Sequence, residues 1–92
     1  MSIPSQFLVY TNTDGVIQRL PVKLSKKIEL ANWAATLFDT DTSYTEAEVN
    51  RIIGQYIEDF ALIRRMLVTL GQLERDAYGY QYRKAANQEI PA

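Results

Sequence analysis

The stretch YTEAEVNRIIGQYIEDFALIRRMLVTLG, residues 44–71, carries the patterns of two consecutive helices and decides the fold. Thr45 followed three residues later by Glu48 is a capping box, in which each side chain bonds the backbone N–H of the other residue. A helix is therefore predicted to begin at Thr45. Its acids, Glu46 and Glu48, suit support and orientation of neighbouring elements better than contact with phosphate.

Apolar residues recur at helical spacing on both sides of a predicted break. In the helix that begins at Thr45, the apolar stripe is Val49, Ile52, Ile53 and Tyr56. Asp59 is a suitable N-cap for the next helix, and Gly71 is a natural stop. The inward face of this next helix is predicted to be Phe60, Ile63, Met66, Leu67 and Leu70. Its outward face is Ala61, Arg64, Arg65, Val68 and Thr69.

Upstream, the run FLVYTNTDGVIQRL predicts an N-terminal β-hairpin. Its strands are expected at about residues 6–11 and 16–20, around the turn NTDG. Ser25 is the predicted N-cap of a further helix, KKIELANWAATLF, whose wide apolar arc should make it the most buried. The polar run DTDTS after it predicts a loop.

Downstream, QLERDAYGYQYRK predicts a second β-hairpin about the turn DAYG. Tyr78, Tyr80 and Tyr82 alternate, so in a strand they would share one face. They could stack on bases, as aromatic side chains do in single-strand binders. We favour a place in the core, because a hairpin in so small a domain needs a buried face. The tail, residues 85–92, is predicted to be mobile.

Length and composition exclude several classes of protein. With 92 residues, of which 47% are hydrophobic, the chain predicts one folded domain, residues 1–84. It has no cysteine and no histidine, so disulfides, thiolate metal sites and the commonest catalytic base are absent. The four glycines lie apart and form no phosphate loop. We therefore expect no enzyme, no cofactor and no metal site.

The location is predicted to be cytoplasmic. The N-terminus lacks a basic segment followed by a long apolar run, and no stretch approaches the roughly 18 apolar residues that indicate a membrane span. The acidic stretch DTDTSYTE also fails as a calcium loop, since the position that requires glycine holds Tyr44. Charge is unevenly distributed despite a net charge of -1: residues 39–59 are mainly acidic, and residues 60–84 are mainly basic.

Three helices followed by a hairpin is the order of a winged helix. The predicted fold class is therefore α+β, a winged-helix-like three-helix domain with an N-terminal β-hairpin and a C-terminal β-hairpin wing. Double-stranded DNA is the expected partner of a small transcriptional regulator of this kind. The candidate contacts are Arg64, Arg65 and Thr69 on the third helix and Arg75, Arg83 and Lys84 on the wing. Neither helical arginine has an acid three or four residues away in its helix, so both are predicted to be free for a partner.

A second interpretation is a protein-interaction or dimerisation module on the same fold, with no nucleic-acid binding. It depends on the near-neutral net charge, the acidic centre of the chain, and the apolar residues Ala61 and Val68 on an otherwise outward helix face. A second copy of the chain, in a homodimer, or another protein would then cover the outward face of the third helix. The plainest alternative to both is a solvated helix face whose arginines do nothing specific.

From residue 14 to residue 84 the chain resembles the bacterial family known as domain of unknown function 2087. The resemblance is carried by RLP with a following lysine, YTEAEVN, LIRRMLV, ERD after a leucine, and the closing tyrosines and arginine. It implies a winged-helix-like domain, found alone or attached to helix-turn-helix regulators of transcription. No biochemical activity is implied. The chain departs from the family pattern at Glu58, where histidine is common.

Overall fold

The computed structural model describes residues 3–78 and 80–85. Within them the chain forms a 3-10 helix at Ser5–Tyr10 and three α-helices: α1 Leu24–Ala35, α2 Glu46–Gly54 and α3 Phe60–Thr69. Three short strands complete the described structure: β1 Ser43–Thr45, β2 Leu73–Arg75 and β3 Gln81–Lys84. The protein is therefore α+β, with a small antiparallel sheet packed on helices.

The sheet has the order β1-β3-β2, with β3 in the centre. Tyr82 of β3 lies opposite Tyr44 of β1 on one side and opposite Arg75 of β2 on the other. The C-terminal hairpin is confirmed. The loop predicted at DTDTS, residues 39–43, is wrong at its last residue, because Ser43 is the first residue of β1. This strand has only three residues and one buried side chain, Tyr44, so it is too short to show an alternating pattern.

The core lies where the three α-helices meet the helix-facing side of the sheet. Side chains from every one of these elements enter it, and they are almost fully buried: Leu30, Ala31 and Ala34 of α1, Val49 and Ile53 of α2, Ile63 and Leu67 of α3, and Leu73 and Tyr82 of the hairpin. The helical members of this set recur at helical spacing in the sequence, so the predicted periodicity is confirmed at these positions. The prediction is wrong at the two ends of the inward face of α3, because Phe60 is 36% and Leu70 40% exposed.

The predicted N-terminal β-hairpin is wrong. Residues 5–10 form a 3-10 helix, and strand-like pairing is limited to single bridges that Ile17 makes with Thr11 and Ile57. The turn itself exists, since Gly15 has a φ of +78°. From the first apolar run only Phe7 is buried, whereas Leu8 is exposed. A strand that packs on a core buries every second side chain, whereas this run buries only one, so its packing does not favour a strand.

The predicted N-cap of α1 is also wrong. The helix begins at Leu24 after Lys23, whose side chain makes no capping hydrogen bond. The carbonyl of Lys23 accepts hydrogen bonds from the N–H groups of Lys26 and Lys27, each at 3.1 Å. Ser25 is consequently an exposed residue in the first turn of the helix.

The predicted start of α2 and both predicted ends of α3 are confirmed, whereas α2 ends at Gly54, slightly before the predicted break at residues 56–59. The Thr45 hydroxyl accepts from the Glu48 N–H at 3.2 Å, and the Glu48 carboxylate accepts from the Thr45 N–H at 2.9 Å. Asp59 caps α3 by accepting from the Leu62 N–H at 3.3 Å. After α3, Gly71 has a φ of +77°, a left-handed conformation that glycine adopts without strain. The chain thus turns directly from α3 into the hairpin.

The predicted mobile tail lies outside the described residues except for Ala85. This alanine is buried, and its N–H donates to the Gln72 carbonyl at 3.1 Å. The bond extends the pairing of the hairpin by one residue.

Removing the capping box should destabilise the protein measurably. Thr45→Ala is expected to lower the free energy of unfolding by about 1 kcal/mol, because it leaves an N-terminal N–H of α2 without a partner. The matched control is Ser25→Ala, which removes an exposed hydroxyl that caps nothing and should change stability by less than about 0.5 kcal/mol. Urea unfolding measures both, and equal effects would contradict the assignment of the cap.

The same contact makes stability depend on pH. Hydrogen bonds from the backbone and the side chain of Thr45 lower the pKa of Glu48 below its ordinary value of 4.5. Because the pKa of Glu48 is lowered in the folded state, the hydrogen bonds of its carboxylate stabilise the protein fully at pH values above the pKa of the unfolded state. That stabilisation is lost as pH falls through the pKa of the folded state. Unfolding of Glu48→Gln should therefore be less sensitive to pH below 4.5 than unfolding of the parent protein. An unchanged acid limb would contradict this.

Candidate binding groove between α3 and the hairpin

A groove with a volume of about 340 Å³ runs between α3 and the C-terminal hairpin. We call it the α3 groove, and it is lined by Arg64, Arg65, Val68, Thr69, Arg75 and Tyr82. Three residues with guanidinium groups therefore line one space, together with Thr69 and the buried Tyr82. Such groups donate hydrogen bonds to phosphate, carboxylate or the edges of bases.

The positions of these side chains follow from the helix and the sheet. Arg64 and Arg65 lie one helical turn before Val68 and Thr69, so the four cover one continuous face of α3. Arg75 lies directly opposite Tyr82 in the β2–β3 pairing, and side chains in such a pair project from the same face of a sheet. That face is the one turned toward the helices, because Tyr82 is buried.

Arg64 has partners on α2. Its Nη1 donates a hydrogen bond to Asn50 Oδ1, and its Nε lies 3.7 Å from Glu46 Oε1. The side chain is 22% exposed. The prediction that Arg64 is free is therefore wrong, because the acid that pairs with it belongs to a different helix.

Glu46 links three elements of the fold. Besides its pair with Arg64 on α3, its Oε1 accepts a hydrogen bond at 3.0 Å from the hydroxyl of Tyr82 on β3. We call Glu46, Asn50, Arg64 and Tyr82 the Glu46 network. The supporting role expected of Glu46 is confirmed: it holds α3 and the hairpin at the two sides of the groove.

Sequence reasoning did not identify Asn50 as a partner of Arg64. A signal was present, since Glu46 and Asn50 are four residues apart and so share one face of α2. No local pattern indicates how α2 and α3 face each other, and the contact spans 14 positions.

Arg65 and Arg75 differ from Arg64. Both are exposed, and within residues 3–78 and 80–85 neither takes part in an ion pair or a side-chain hydrogen bond. Thr69 is likewise exposed on the same wall. These residues supply the donors of the groove that have no described partner.

The remaining two predicted site residues lie elsewhere. Arg83 is paired across the sheet with Ser43 and Glu74 and projects from the face opposite to Tyr82. Lys84 is half-buried, and its Nζ donates to the carbonyl of Phe38 at 3.4 Å. The structure thus brings Arg64, Arg65, Thr69 and Arg75 together in the α3 groove, which neither Arg83 nor Lys84 lines. Arg83 instead shares a smaller pocket with Arg75 and two acids, Glu74 and Asp76.

The three alternating tyrosines do not share one face. Tyr82 is buried in the core, as predicted, but Tyr78 is 80% and Tyr80 71% exposed. Placing all three in the core was therefore wrong. The reason is that β3 begins at Gln81, so the first two tyrosines belong to the turn beyond the helices.

Among the described residues, no group of three or more acidic, histidine or cysteine side chains could hold a metal ion. None of the helices in this part of the chain has the length and apolar character needed to cross a membrane.

The model of a bacterial family, described as "Uncharacterized protein conserved in bacteria (DUF2087)", matches residues 16–84. The matched range contains all three α-helices and all three strands described above, and it begins after the 3-10 helix. A search of curated proteins and a search of solved structures each found no match.

The pairing of Glu46 with Arg64 should be measurable as a coupling energy. A double-mutant cycle with Glu46→Ala and Arg64→Ala is expected to give about 0.5–1 kcal/mol, because Arg64 is mostly shielded from water. The control cycle uses Lys26 and Glu29, a pair at 3.3 Å whose side chains are both about half exposed. Its coupling should be about 0.3 kcal/mol. Equal couplings would contradict a special role for the Glu46 network.

Proposed function

The chain belongs to the bacterial family described as an uncharacterized conserved protein, DUF2087, and we propose that it binds double-stranded DNA as a small transcriptional regulator or a regulator-associated domain. The observation that carries this proposal is the α3 groove, where guanidinium groups from one helix and from the adjacent hairpin converge. Phosphate contacts by arginine supply much of the affinity of proteins for DNA.

The order of elements supports the proposal. A helix, a short strand, two helices and a hairpin, with the last strand in the centre of the sheet, is the arrangement expected of a winged helix. On this interpretation α3 is the recognition helix, and the β2–β3 hairpin is the wing. The groove then lies between the two elements that would contact DNA.

The four groove residues would have different roles. Arg65 is exposed on α3 and can donate two hydrogen bonds to guanine or to phosphate, while Thr69 one turn later can meet a thymine methyl group. Arg75 on the hairpin would contact a backbone phosphate. Arg64, held by Glu46 and Asn50, would position α3 and offer its remaining donors to the same phosphate.

Acidic residues near α3 would repel DNA phosphates, but two of them are engaged in contacts within the protein. Glu46 is paired with Arg64, and Glu48 is engaged in the cap of α2. Both carboxylates lie at the start of α2, where their negative charge interacts favourably with the positive end of the helix dipole. The net charge of -1 nevertheless implies that any binding is weak at physiological salt and strengthens as salt is lowered.

DNA binding and its salt dependence test the proposal directly. Fluorescence anisotropy with a labelled duplex, at several salt concentrations, should show affinity that falls steeply with salt. Arg65→Ala/Arg75→Ala is expected to weaken binding and to reduce the slope of log affinity against log salt by about 2, since two phosphate contacts are lost.

The matched control removes the same charge elsewhere. Arg19→Ala/Lys23→Ala changes two exposed cations that do not line the α3 groove, and it should leave the slope nearly unchanged. No salt-sensitive binding to any duplex, or an equal loss in both variants, would contradict the proposal.

A protein-interaction role is the second candidate, and a different surface favours it. Ala61 and Val68 are half-buried, and Val68 packs against the core, so they offer less contact area than the sequence suggested. Exposed aliphatic side chains lie instead in the 3-10 helix, where the adjacent residues Leu8 and Val9 are 54% and 78% exposed. Adjacent exposed apolar side chains can contribute to an interface with another protein.

Self-association through this surface would be visible in solution. Size-exclusion chromatography with light scattering should then report a dimer that Leu8→Ser/Val9→Ser converts to a monomer, because the substitutions remove exposed apolar area. Leu70→Ser, at a similarly exposed position after α3, is the control. A strict monomer at all concentrations would rule out the homodimer.

A further inference from the structure

The tip of the C-terminal hairpin presents two tyrosines side by side. The rings of Tyr78 and Tyr80 are stacked, with centroids 6.2 Å apart and planes 21° from parallel. Each side chain is more than two-thirds exposed, in contrast to Tyr82, which fills the core. The pair therefore contributes large aromatic surface that the fold itself does not use.

The turn that carries the pair is held by a side chain. Asp76 Oδ1 accepts hydrogen bonds from the N–H groups of both Tyr78, at 3.2 Å, and Tyr80, at 2.8 Å. These bonds fix the backbone at both tyrosines from one carboxylate. The backbone is thus held at Tyr78 and at Tyr80, which lowers the entropic cost of binding a ligand on their rings.

The charges beside the tip indicate the kind of ligand. Arg75, which lines the α3 groove, is the last residue of β2 and directly precedes Asp76, whose carboxylate accepts from both tyrosine N–H groups. One cation of the groove therefore lies within three residues of Tyr78 along the chain. A polyanion with planar rings is complementary to this combination: phosphates would lie in the groove, and a base would lie on a ring. Single-stranded nucleic acid is bound by such combinations of cations and aromatic faces.

We propose that Tyr78 and Tyr80 form a stacking site for an unpaired nucleobase adjacent to a duplex bound in the α3 groove. The proposal rests on the DNA-binding function proposed above. Bases inside an intact duplex are stacked on one another, so their faces are not accessible to the rings. The preferred ligand is therefore a duplex that carries a single-stranded overhang.

Two DNA probes separate this inference from duplex binding alone. One is a blunt labelled duplex, and the other is the same duplex with a short unpaired extension, made with either 3′ or 5′ polarity. The protein is expected to bind one extended form roughly five-fold or more tightly than the blunt form at the same salt concentration, as expected for stacking of one base.

Two variants test whether the rings are responsible. Tyr78→Ala/Tyr80→Ala should abolish the preference for the extension and leave affinity for the blunt duplex within about two-fold. Tyr78→Phe/Tyr80→Phe should retain the preference, since a ring face stacks without its hydroxyl. Both changes are at exposed positions, and thermal unfolding will verify that each variant is folded.

The outcomes distinguish failure of this inference from failure of the proposed function. Equal binding of both probes by the parent protein overturns the stacking site and leaves duplex binding intact. Retention of the preference in the alanine variant, or an equal loss of affinity for both probes, also overturns it. Absence of salt-sensitive binding to either probe overturns the proposed function itself. Arg65→Ala/Arg75→Ala should weaken both probes together and preserve their ratio.

Discussion

The carboxylate of Glu46 is the contact on which the geometry of the groove depends. It meets Arg64 of α3 and the hydroxyl of Tyr82 of β3, so one side chain of α2 holds both walls of the α3 groove. Its own position is set by the capping box, since Glu46 is the first residue after the N-cap Thr45. A local signal that starts a helix thereby places the carboxylate that contacts a second helix and the hairpin.

The two adjacent arginines of α3 differ in their surroundings, and we expect them to differ in role. Successive residues on a helix point about 100° apart, which turns Arg64 toward α2 and Arg65 toward solvent. Arg64 is held by a carboxylate and an amide, whereas Arg65 has no such partner among the described residues. We expect a ligand to be bound chiefly by Arg65 and Arg75, while Arg64 keeps α3 in place.

Sequence patterns predicted the parts of this fold that depend on local rules. The capping box at Thr45, the cap at Asp59 and the stop at Gly71 are each contained within a few residues, and each was confirmed. The 3-10 helix and β1 were missed, because neither has more than one deeply buried side chain to show a period. The partners of Arg64 could not be predicted, since they depend on how two helices pack.

An NMR titration of the isotopically labelled protein with a DNA duplex tests most directly whether the α3 groove binds DNA. Backbone amide signals should shift at Arg64, Arg65, Val68 and Thr69 of α3 and at Arg75 in the hairpin, because these residues line the α3 groove. Signals of Val9 and Val22, two exposed residues that do not line the groove, should not shift. Signals that do not change with DNA, or that change only around Val9 and Val22, would contradict the assignment of the groove as the binding site.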